Sequence, residues 1–146
     1  MSEIQHFSAL EKMYLAAPIN RIYRPTIVIT EGRSEIEIEL KEEYFHSAGA
    51  VHGSVYFKML DDAAFFAVNS LEQEVFVLTA SFTTYLTRPV SSGTIRSVGS
   101  VATQTKSQFI AESIAYNSQG QEVGRGNGIF IRGKHLLKDA LGYERL

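Results

Sequence analysis

Residues 46–70, HSAGAVHGSVYFKMLDDAAFFAVNS, decide how the rest of the chain is arranged. The run from Val55 to Asn69 is too long for an ordinary strand, is rich in Ala and Phe, and contains no Gly or Pro, so it reads as a helix. Apolar side chains occur nearly all the way round it, which encloses it in protein rather than laying it on a surface. His52-Gly53-Ser54 marks its start: Ser54 is the expected N-cap, and Gly53 lets another group approach the backbone closely. Free N–H groups should point outward there, at the positive end of the helix dipole.

On helical spacing Asp61 shares a row with Phe57, Ala64, Phe65 and Val68, which sets a carboxylate about two turns from those N–H groups on a mostly apolar face. Lys58 precedes Asp61 by three positions and Asp62 by four. Either both aspartates are solvated or paired with Lys58, or one is held in an apolar setting for a chemical task, because charge is rarely left in a core without a partner.

Working outward, Ser2 to Ala17 carries Phe7, Leu10, Tyr14 and Ala17 at helical spacing, with Ser8-Ala9-Leu10-Glu11 as a possible capping box. Pro18 and Pro25 bracket a connection, so residues 1–25 form an N-terminal helix and its link. Thr26 to Thr30 is a β-branched strand. Ser34 to Lys41 alternates strictly, with Ile36, Ile38 and Leu40 on one face and Glu35, Glu37 and Glu39 on the other, the pattern of a sheet with one wet face. After the central helix four strands follow, over Phe76 to Leu86, Thr94 to Thr105, Phe109 to Tyr116 and Glu122 to Arg132. The first should put Leu78, Ala80 and Phe82 on one face and Thr79, Ser81 and Thr83 on the other. Gly124, Gly126 and Gly128 leave one face of the last strand bare, which suits close approach by a helix or ligand. The tail, residues 134–146, is amphipathic and reads as a short helix. The order implies an α+β domain, an antiparallel sheet wrapped around the central helix.

Composition excludes several classes of function. The chain has 146 residues, 45% of them hydrophobic, enough for one domain spanning 1–146. A net charge of −2 with scattered Lys and Arg gives no nucleic-acid footprint. There is no Cys, hence no zinc-thiolate or disulfide framework. No apolar run reaches the ~18 residues of a membrane span, and the N-terminus lacks the apolar core of a signal peptide, so a cytoplasmic location and no membrane partner are expected.

The quoted stretch, followed by FVLTASFTTYLTRPVSSG, resembles the hotdog-fold acyl-CoA thioesterases of the phenylacetyl-CoA and 4-hydroxybenzoyl-CoA thioesterase-like subgroup. The resemblance runs from about Ser34 to Arg132. The pattern of an Asn, a Gly, His-Gly-Gly, a helical acid and Arg-Pro becomes here His46, Gly49, His52-Gly53-Ser54, Asp61 and Arg88-Pro89. It implies that Asp61, not Asp62, is the catalytic carboxylate and that the Gly53 N–H polarises the thioester carbonyl. Thr79 falls where relatives carry a Ser or Thr from the neighbouring subunit. The chain departs from the pattern where His46 replaces the water-orienting Asn and Ser54 replaces the second Gly. A protonated His46 would only donate, so activity would fall on the acid side. By the same resemblance His52, Ser54, Arg88, Thr105, Lys106 and Ser107 are substrate-binding candidates, with Arg132 a further choice for phosphates.

The residue types suit thioester hydrolysis without the analogy, since it needs a base or nucleophile and donors for the carbonyl oxygen. Phe57, Phe65, Phe66, Tyr56 and Tyr85 would line an aromatic acyl pocket or be plain core. No metal or cofactor is expected beyond the coenzyme A of the substrate. The implied assembly is a homodimer or dimer of dimers. Two other readings stay open: a hotdog acyl-thioester hydratase or dehydratase using His46 or His52, and a non-catalytic acyl-CoA-binding protein, against which the segment before Pro25 is too short for a DNA-binding extension.

Overall fold

The computed structural model describes residues 2–144. Helix α1, Glu3–Ala16, and the short helix α2, Asn20–Tyr23, precede strands β1, Thr26–Thr30, and β2, Arg33–Glu39. The central helix α3, Gly53–Asn69, is followed by β3, Val75–Leu86, β4, Thr94–Gln104, β5, Phe109–Tyr116, and β6, Glu122–Leu136. All pairings are antiparallel, in the order β1-β2-β4-β5-β6-β3, and the sheet curls around α3 as the sequence pattern implied. Among the described residues no helix is long and apolar enough to cross a membrane.

Small residues let α3 lie against the sheet. Ser34 Oγ donates to the Ala63 carbonyl at 2.6 Å, and Ser113 Oγ donates to the Leu60 carbonyl at 2.8 Å. Between them a Cβ at Gly99 would stand 2.2 Å from the Ala63 oxygen. These contacts come from one face of β2, β4 and β5, so the helix is held by its own backbone carbonyls as well as by Met59, Leu60 and Ala63 in the core. Gly99→Ala is therefore expected to cost about 3 kcal/mol or more, because backbone has to move to admit the methyl. A fall in the urea midpoint at unchanged slope would show it.

Two sequence expectations about chain ends are corrected. The capping box that forms is Ser2 with Gln5, not Ser8 with Glu11, and α1 runs from Glu3, close to the expected start at Ser2. The tail is not helical from Lys134: β6 continues to Leu136, which pairs with Val75, and a 3-10 turn over Leu137–Asp139 follows. Residues 145 and 146 of that expected tail helix lie outside the described residues.

Strand β3 departs from simple alternation. Thr79 pairs with Phe130 but Ser81 pairs with Ile129, leaving Ala80 as the extra residue of a bulge. Val77 and Thr79 point toward α3 before it, and Phe82 does so after it, against the expectation that Leu78, Ala80 and Phe82 share a face. The bare face of Gly126 and Gly128 receives the Phe82 ring, which a Cβ on either would meet at 2.4 and 2.6 Å. β3 is also an edge strand, and Leu78, Tyr85 and Leu86 on it are about half exposed.

Candidate active site

Asp61 sits near the middle of α3, in the wall of a cavity of about 330 Å³. Phe65 and Phe66 of the same helix, Phe76 of β3, Tyr14 of α1 and Leu141 of the tail give that cavity its apolar character. Thr79 Oγ1, two residues after the buried Val77 and just ahead of the β3 bulge, donates to Asp61 Oδ1 at 2.9 Å. Burial raises the Asp61 carboxyl from the ordinary 3.8 to about 6, with the Thr79 hydrogen bond lowering it, the Asp62 charge raising it and Lys58 lowering it. This carboxylate would be poised to take a proton near neutrality.

Asp62 has a different setting. Its Oδ2 accepts from Lys58 Nζ at 2.5 Å and from the Tyr14 hydroxyl at 2.7 Å. Lys58 also lies 5.1 Å from the ring centres of both Tyr14 and Tyr23. The Tyr14 hydroxyl is pushed well above its ordinary value by burial and then by the Asp62 charge, so it stays a donor. Asp62 is thus engaged in fastening α1 to α3, which leaves Asp61 as the carboxylate free to meet a substrate.

Gly53 does not join Asp61. It is the first residue of α3, eight positions earlier, and a helix rises about 12 Å over that interval. It lines a second cavity with His46, Tyr56, Leu86 and Arg88. The expected N-cap at Ser54 is replaced by His52, whose Nδ1 accepts from the Ser54 N–H at 3.1 Å and contacts Ser54 Oγ at 2.8 Å. That makes His52 and Ser54 a helix cap, and it leaves the Gly53 N–H with no acceptor among the described residues. His46 Nδ1 accepts from the Ala48 N–H at 3.1 Å, inside a turn closed by Gly49 at φ 81°. With Nδ1 accepting, Nε2 of this exposed His46 is the ring nitrogen left to donate. Neither His46 nor His52 lines the Asp61 cavity.

The remaining predicted residues divide between the two ends of the sheet. The Arg88 carbonyl accepts from Tyr56, and its side chain borders the Gly53 cavity. Thr105, Lys106 and Ser107 form the β4–β5 turn, where Arg132 donates to the Lys106 carbonyl, and none of the three lines either cavity. The pairing of Thr79 with Asp61 is also a correction: both belong to one chain, and no neighbouring subunit is needed to bring them together. Of the expected aromatic wall, Phe65 and Phe66 face Asp61, Tyr56 faces Gly53, and Phe57 and Tyr85 are largely exposed. Tyr14, Phe76 and Leu141 were missed, although the helical spacing of Tyr14 had placed it on the inward face of α1.

Comparisons with known proteins agree with the fold. The E. coli PaaI protein of the phenylacetic acid degradation operon superposes with a TM-score of 0.83 at 20% identity, over 92% of this chain and 97% of that one. A phenylacetic acid degradation-related protein from Ralstonia eutropha gives 0.74 at 18% identity, covering 86% and 98%. A thioesterase from Haemophilus influenzae gives 0.74 at 12% identity, covering 82% and 85%. No curated protein sequence matches significantly. The Thioesterase superfamily profile matches residues 48–123, more than half the chain, and takes in both α3 and the β3 strand that carries Thr79. This hotdog-fold chain belongs to the thioesterase superfamily.

Proposed function

We propose that the protein hydrolyses an acyl-CoA thioester to the free acid and coenzyme A, with Asp61 as the group that delivers water or attacks directly. The observation that carries this reading is the contrast between the two aspartates. Asp62 is consumed by Lys58 and Tyr14, whereas among the described residues the hydrogen-bond partner of Asp61 is a threonine hydroxyl, in a largely apolar cavity of ligand size. In the general-base form Asp61 takes a proton from water, the oxygen of that water adds to the carbonyl carbon, the C–S bond breaks, and the proton goes to the departing thiolate.

The carbonyl oxygen needs a donor within about 3 Å, and Gly53 of the same chain is far out of reach. Two copies related by a two-fold axis would solve this, each Asp61 meeting Gly53 of the partner subunit. The β3 edge offers the contact: it is 12 residues long, and beside Leu78, Tyr85 and Leu86 it exposes Phe57 of α3, which is 43% accessible. His46 would enter the shared site with Gly53. For the coenzyme A moiety the proposed contacts are Arg88 beside Gly53, and Thr105, Lys106 and Ser107 on the β4–β5 turn.

The test is a panel of acyl-CoA thioesters, from short chains to phenylacetyl and benzoyl, read by free thiol release. A base with a carboxyl near 6 must be ionised to act, so kcat/KM should rise through an acid limb centred near pH 6 and flatten above it. Absence of turnover on every thioester would leave acyl-CoA binding without catalysis as the alternative.

A further inference from the structure

The inference concerns Lys58 and rests on the hydrolase reading above. Asp61 and Asp62 are adjacent on α3, and both border the same cavity. Two partly buried carboxylates so placed oppose each other's ionisation. A lysine in this wall is itself costly to bury, with only 11% of its side chain accessible, unless it has a partner and a purpose.

We propose that Lys58 is a positioning residue of the reaction: by holding Asp62 in an ion pair it offsets the neighbouring negative charge and keeps Asp61 ionised at neutral pH. The geometry supports a charge balance more than simple adhesion. Lys58 Nζ and the Tyr14 hydroxyl meet on the same Asp62 oxygen, and the lysine sits one helical turn from both acids. The charged and titratable groups around Asp61 are Lys58 and Asp62 on its own helix and Tyr14 from α1. β3 adds the neutral Thr79, and the tail adds Ala140 and Leu141. The directions found for Asp61, raised by Asp62 and lowered by Lys58, agree with this balance.

A cluster that merely fastens α1 to α3 would change stability and leave the Asp61 titration alone. Charge balance predicts a reversal instead. Lys58→Met should move the acid limb of kcat/KM about 1 pH unit to the alkaline side, and Lys58→Met with Asp62→Asn should bring it back. Lys58→Arg should keep the limb in place, and Lys58→Gln serves if the Met variant does not fold. The same four proteins should be read by the carboxyl ¹³C shift of Asp61, assigned against Asp61→Asn. That signal titrates whether or not any thioester is turned over, so an inactive protein would reject the hydrolase reading alone. A folded Lys58→Met or Lys58→Gln protein whose Asp61 titrates at the wild-type pH overturns the proposal. So does a double variant that keeps the displacement of the single one.

Discussion

Asp61→Asn is expected to lower kcat by about 10²–10⁴-fold while making the protein harder to unfold at neutral pH. The loss follows from removing the base; the amide keeps its shape and still accepts from Thr79. The gain follows from the raised carboxyl. Below about pH 3.8 the group is protonated in both folded and unfolded chains and contributes nothing against folding. Between 3.8 and about 6 the unfolded chain ionises while the folded one resists, and stability falls as pH rises through that window. Above it the cost is about 2–3 kcal/mol, which the amide escapes. Urea unfolding at pH 4 and pH 7.5 checks this: the variant should exceed the wild type only slightly at pH 4 and by most of that cost at pH 7.5. Equal stability at both values would mean that Asp61 is solvated, and Asp62→Asn, which breaks a fastening, should instead destabilise.

Gly53→Pro addresses the other half of the chemistry. The residue is the first of α3, where proline is well tolerated, and His52 before it already has φ −63° and ψ 143°, the backbone a proline requires of its predecessor. The substitution therefore deletes the N–H, and of the three ring carbons it adds the Cβ would meet Leu86 Cδ1 at 3.2 Å. A loss of about 10²–10³-fold in kcat is expected. Mixing inactive Asp61→Asn and Gly53→Pro proteins should restore activity, toward about a quarter of wild type, because random two-fold pairing makes half the dimers hybrids with one whole site. A mixture of Asp61→Asn with a Thr79 variant should restore none, since those two residues act in one chain. Recovery in the second mixture and not in the first would invert the subunit assignment.

Much of the architecture was visible in particular residues. The uninterrupted apolar run announced a buried α3, the Ile/Glu alternation announced β2, and the glycines of β6 announced a close approach, which turned out to be the Phe82 ring. The choice of Asp61 over Asp62 came from resemblance, because spacing alone puts Lys58 within reach of both. What separates them is Tyr14, which arrives from a different helix 48 positions away. The bulge was invisible for a related reason: Ala80 fits either face of a strand, and only the pairing with β6 reveals that it has no partner there. His52 escaped notice as the cap because an adjacent serine is the commoner choice.

Ala80 separates two kinds of tolerance in β3. The residue is exposed in the single chain, so exchanging its side chain leaves the packing against α3 in place. The number of residues at that point is another matter, since it sets the phase between the half of the strand that serves Asp61 and the half that places Phe82 against α3. A change of side chain there acts only on what meets the β3 edge, whereas loss of one residue would turn one half of the strand inside out. Relatives sharing this site should hardly vary in whether a residue stands at position 80.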